Sequence, residues 1–149
     1  KEIKEIVFNK RAQLLVSDIY QMLGDHISRD QTTSVKIRYI DRLTACADYI
    51  LPMVLRYHGA LEYSPELSGK VGNSQQIPKD SVEEIEIRGN TLLAVELIKK
   101  EMQKRACCED RAQSAASAIT SMRINDYIWL IADKIPEEYR HHLTRTTAY

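Results

Sequence analysis

The sequence predicts an all-α domain, and three observations carry that expectation. Apolar residues recur at three- and four-residue intervals over long stretches. Helix-capping residues stand just ahead of those stretches. No segment alternates apolar and polar residues convincingly as a half-buried strand does. The chain has 149 residues, 44% of them apolar and 28% charged, an ordinary balance for a globular protein. A single domain over 1–149 is expected, able to bury roughly 70% of the surface its unfolded chain exposes.

The first helix is expected over 2–23, from Ile3, Ile6, Val7, Leu14, Leu15, Ile19, Met22 and Leu23, with Gly24 as its stop. Lys10 and Asp18 are polar residues beside that apolar face. Residues 25–40 read as a loop with a short strand at 34–37. Asp41 can cap a second helix whose apolar surface is Leu43, Ala45, Cys46 and Ala47. Pro52 stops it, and Leu51 should be extended because a proline pushes its predecessor out of the α region. The chain restarts at Pro52 and runs through Met53, Val54, Leu55 and Tyr57 to Gly59.

Ser64 and Pro65 open a short helix to about Val71, followed by a loop that reaches Gln76. Ser81 and Glu84 form a capping box ahead of the longest helix, which carries Ile85, Leu92, Leu93, Val95, Leu97, Ile98 and Met102. On it, Glu84 and Arg88, and Glu96 and Lys100, stand four apart with the acid first, the favourable order for surface pairs. Glu86 and Asn90 share a face that either lines a polar pocket or meets water. Residues 104–118 read as a weak helix or linker. A last amphipathic helix carries Ile124, Tyr127, Ile128 and Ile131, with Asp126 and Trp129 on one face, and Pro136 ends it. The tail is polar.

Charge excludes some functions. Twenty-one basic and twenty-one acidic residues balance, and no basic stretch appears, so electrostatic binding to nucleic acid is not expected. No run reaches the length of a membrane span. Three cysteines, two of them adjacent and none at metal-ligand spacing, suit a reducing compartment, and Cys46 reads as a small buried hydrophobe. No phosphate-binding loop, dinucleotide fingerprint, zinc signature or nucleophile elbow is found. One residue stands out: Asp48, a lone acid on an apolar run at the proline-broken junction. It serves either as a helix cap or as a functional acid between two helix ends of opposite field.

Four ordered segments resemble the queuosine salvage protein family, the queuosine 5′-phosphate N-glycosylases. They are Lys10-Arg11-Ala12-Gln13-Leu14-Leu15-Val16-Ser17-Asp18; Leu43 to Tyr49 with Pro52, continuing to Leu61-Glu62-Tyr63-Ser64-Pro65-Glu66-Leu67; Glu84-Ile85-Glu86-Ile87-Arg88 with Ala94-Val95-Glu96; and Asn125-Asp126-Tyr127 with Trp129, His142, Thr144-Arg145-Thr146 and Tyr149. The resemblance implies a helical fold similar to helix-hairpin-helix DNA glycosylases. It implies hydrolysis of queuosine 5′-phosphate to queuine and ribose 5-phosphate in the cytoplasm, with no metal and no organic cofactor. Asp48 matches the family's acid, and Lys10 is the second catalytic candidate. Tyr49, Tyr63 and Trp129 are candidates to stack on the base, Glu86 and Asp126 to bind its edge, and His142 and Arg145 to hold the phosphate.

Family members are longer, and the match begins in their middle, so the chain is expected to be their C-terminal half. Ile50, Met53 and Leu143 stand where the family has arginine, often glutamine, and arginine. These departures favour a second reading, a non-catalytic relative acting as a helical scaffold with a protein partner.

Overall fold

The computed structural model describes residues 6–27, 37–108 and 116–147. Among the described residues five α-helices with defined bounds follow in order: α1 (Lys10–Ile27), α2 (Ile50–Tyr57), α3 (Pro65–Gly72), α4 (Val82–Cys108) and α5 (Ser121–Ile131). Two 3₁₀ turns, at Ile40–Arg42 and Ala132–Lys134, are also found among the described residues. Among the described residues the only bridge-like pairing joins Gln76 to Leu143, so the all-α expectation holds for them. None of the described helices is long and apolar enough to cross a membrane.

Helices α2, α4 and α5 pack on one another around Leu51, Val54, Leu55, Val95, Ile124 and Ile128. A second cluster of Leu67, Val71, Ile77 and Ile87 seats α3 against α4. The tail crosses back over that second cluster, and Ile77 N–H donates to Leu143 O at 2.7 Å. The sequence cues explain most starts. Ser64 Oγ accepts from Leu67 N–H at 3.2 Å, and Thr120 Oγ1 accepts from Arg123 N–H at 3.3 Å. Ser81 Oγ accepts from Glu84 N–H, while the Glu84 carboxylate reaches back to Asp80 N–H, one residue beyond the expected box. Gly59 closes α2 with φ +73°, a conformation open to glycine at no steric cost.

Several boundaries differ from expectation. Residues 6–9 are not helical, and α1 runs on through Gly24 to Ile27. The expected strand falls largely on 34–36, outside the described residues. So do Ile3, Tyr149 and 109–115 of the weak helix, although α4 itself reaches Cys108. Glu84 and Arg88 do pair, at 3.2 Å, but inside the protein rather than on its surface. Glu96 pairs with Lys99 and accepts from Ser121 Oγ. Burial pushes the Glu96 carboxyl up, but those two hydrogen bonds and the charges of Lys99 and Lys100 outweigh it and hold it below the ordinary value.

The largest difference lies at 43–51. Leu51 is helical and fully buried, and Pro52 sits in the first turn of α2, where its missing N–H breaks no helical bond. Residues 43–47 form no helix. Side chains from three other elements take up their backbone groups instead. Gln13 Oε1 accepts from Thr44 N–H at 2.7 Å, Asn125 Oδ1 from Cys46 N–H at 2.9 Å, and Arg88 Nε–H donates to Ala47 O at 3.1 Å. An orphaned buried backbone group costs about 1–3 kcal/mol, so these bonds are what allow an irregular segment to run through the interior.

Candidate active site

That irregular segment delivers Asp48 to the head of α2, where it is 1% exposed. Its two oxygens have separate surroundings. Oδ1 accepts from Ile50 N–H at 2.9 Å and Leu51 N–H at 3.1 Å, which caps α2. Oδ2 accepts from Trp129 Nε1–H at 3.2 Å and lies 3.6 Å from Lys10 Nζ. The capping and functional readings of Asp48 are therefore compatible: one oxygen anchors the helix and the other faces a cation and an indole. The helix N-terminus, the ammonium and the indole N–H all favour negative charge at this point.

Lys10 is the first residue of α1, with its side chain 15% exposed. A cavity of about 400 Å³ opens beside it, lined by Phe8, Asn9, Lys10, Gln13, Thr44 and Ala47 among others. Asp126 Oδ1 accepts from Asn125 Nδ2 at 3.2 Å. It lines a larger cavity of about 540 Å³ together with Ser17, Tyr20, Gln21 and Arg123. Cys46 lies between these charges. Burial pushes its thiol up to about 11, against the pull of Lys10 and with a further push from Asp48, Asp126 and Asp18, so it stays a neutral thiol.

The remaining expected residues are distributed unevenly. Trp129 is 43% exposed and spends its indole N–H on Asp48, which ties the aromatic to the acid. The Tyr49 ring lies 4.6 Å from the His141 imidazole, next to Asp48 in sequence. Tyr63 packs on the second cluster, with the Arg56 guanidinium 4.7 Å from its ring centroid. Glu86 and Asn90 both face outward, and Asn90 Nδ2 donates to the Glu86 carbonyl at 2.9 Å. Arg145 is exposed on the tail. His142 is 1% exposed, beneath the surface rather than on it. Gln13, Asn125 and Arg88, which hold the segment, were not singled out as site residues. The signal available was their place inside the segments that carry the family likeness.

Burial, then the nearby His141 and the Arg88 charge, push His142 from its ordinary 6.5 to about 4. The folded protein thus holds the neutral imidazole. Its stabilising contribution is complete above about 6.5 and is lost as pH falls through the window down to about 4. Denaturant unfolding at pH 7 and at pH 4 should differ by on the order of 3 kcal/mol through this group. The variant His142→Gln should show a correspondingly flatter acid limb. An unchanged limb would place the acid sensitivity elsewhere.

In this helical domain a buried aspartate is held by a lysine, an indole N–H and the N-terminus of a helix. The queuosine salvage protein family model matches residues 1–149, and the chain belongs to that family. Curated relatives agree. The chain is 31% identical to the queuosine 5′-phosphate N-glycosylase/hydrolase of Sphaerobacter thermophilus over 98% of its own length. It is 32% identical to the mouse protein and 34% identical to the bovine protein of that name, each over 99% of its length. It spans 41–42% of the length of these relatives.

Proposed function

We propose that the protein carrying this chain hydrolyses the N-glycosidic bond of queuosine 5′-phosphate, releasing queuine for return to tRNA modification. The observation that carries this reading is the Asp48 carboxylate, buried and held by Lys10 and Trp129, in a chain of this family. Water adds to the anomeric carbon, the bond to the base breaks, and one proton of the water ends on the base. Positive charge builds on the sugar as the bond stretches, and Asp48 Oδ2 stabilises it from close range. Lys10 either orients that oxygen or contacts the sugar phosphate.

A 7-deaza base lacks the ring nitrogen that assists departure of ordinary purines. Help must therefore come at its pyrimidine edge. Asp126 suits that role better than Glu86, because it borders a cavity and follows Asn125, which holds the Cys46 N–H, whereas Glu86 faces outward. Trp129, bonded to Asp48, and Tyr49, next to it in sequence, are assigned to the base. Tyr63 is assigned to it only more distantly. Arg145 is assigned to the phosphate; His142, neutral at pH 7, would serve as a hydrogen-bond partner and not as a cation.

The helical architecture is read as similar to the helix-hairpin-helix DNA glycosylases, with a single domain over 1–149 as the C-terminal half of the family fold. The substrate is a small molecule, no direct nucleic-acid contact is assigned, and the compartment is the cytoplasm. No metal or organic cofactor is assigned a part. Incubating the protein with queuosine 5′-phosphate and following free base by chromatography tests the reading. A scaffold would leave the nucleotide intact.

A further inference from the structure

Arg88 joins the two stretches of chain that bring Lys10 and Asp48 together. Its Nε–H donates to the carbonyl of Ala47, the residue before Asp48, at 3.1 Å. Its flat face lies over the ring of Phe8, two residues before Lys10, with 4.2 Å from the guanidinium carbon to the ring centroid. Its Nη1 is 3.2 Å from Glu84 Oε1 on the preceding turn of α4. Arg88 is 4% exposed and Glu84 1%. Glu84 is fixed in turn, because its other oxygen accepts from Asp80 N–H at 3.3 Å.

We propose that Arg88, oriented by Glu84, is a positioning residue that sets the separation of Lys10 and Asp48. This rests on the reading of those two residues as the reacting pair. Stability alone does not account for the arrangement, since a buried ion pair is commonly no more stabilising than apolar side chains of similar volume. An apolar pair could not hold the Ala47 carbonyl. A lysine could supply a charge, but not donors in two directions together with a planar face for Phe8. Arginine meets all three needs at once.

The chain's single tryptophan provides a readout independent of catalysis, because the Trp129 indole N–H is bonded to Asp48 Oδ2. The informative variant is the double substitution Glu84→Leu with Arg88→Met, which leaves no uncompensated buried charge. Its thermal midpoint should fall by only about 2–10 °C, the effect of leaving the Ala47 carbonyl without its donor, and the protein should stay folded. Hydrogen exchange at the Trp129 indole should become about tenfold faster as Asp48 shifts. Arg88→Lys should give an intermediate rate. In the release assay, kcat should fall about thirtyfold with KM within about threefold, the pattern of a lost transition-state interaction. Indole exchange within about twofold of the unaltered protein in the double variant overturns the proposal. An unaltered protein that releases no queuine overturns the functional reading alone, and the indole measurement still decides the role of Arg88.

Discussion

Asp48→Asn should abolish queuine release while the protein stays folded. Asparagine is as good a helix cap as aspartate, so its carbonyl can keep the bonds from Ile50 and Leu51 N–H. The amide group then replaces Oδ2. It presents two N–H donors to the Trp129 indole N–H and the Lys10 ammonium, which are donors themselves. That mismatch costs about 1–3 kcal/mol of stability, which the far-ultraviolet circular dichroism of a folded helical domain should survive. On the proposed mechanism, what it removes is the negative charge beneath the developing sugar cation. Losing one group of this kind commonly costs about 10²–10³ in rate even when it is not the principal one, so release should fall to background. Turnover equal to the unaltered protein would return Asp48 to a capping role alone.

Lys10→Ala should cut turnover by a smaller factor than Asp48→Asn and leave the cap intact. The ammonium lies 3.6 Å from Oδ2, too far for a strong hydrogen bond but close enough to orient the carboxylate. Its removal leaves Oδ2 with the Trp129 indole as its described hydrogen-bond donor. A fall of about tenfold to a hundredfold in kcat/KM is expected, equivalent to about 1.4–2.8 kcal/mol of transition-state stabilisation. Comparing queuosine 5′-phosphate with the unphosphorylated nucleoside separates the two roles given to Lys10. A loss seen equally with both substrates assigns it to the acid, and a loss confined to the phosphate assigns it to that group. A change in melting temperature without any change in turnover would make Lys10 structural.

How far the sequence anticipated these residues depended on whether the relevant partners were local. Ser64, Ser81 and the apolar periods are read within one or two turns, and their helices start and run close to where they were expected. Asp48 was legible as an anomaly, an acid without local reason on an apolar run. The shape of its surroundings was not. Residues 43–47 have the composition of a buried helix, and nothing within them shows that Gln13, Asn125 and Arg88 will take over their backbone groups from 31, 79 and 41 residues away. The same distance hid the burial of Glu84 with Arg88, which local spacing could only read as a surface pair. Ile50 looked like the loss of a functional arginine. In the fold it opens α2, and its backbone N–H, which any residue other than proline supplies, is one of the two that Asp48 Oδ1 accepts from.

The most direct measurement is product analysis of queuosine 5′-phosphate incubated with the intact protein and, in parallel, with its Asp48→Asn variant at equal folded concentration. Queuine and ribose 5-phosphate are expected in equal amounts from the first and neither above background from the second. Recovery of intact nucleotide from both, or equal release by both, would contradict the proposed mechanism.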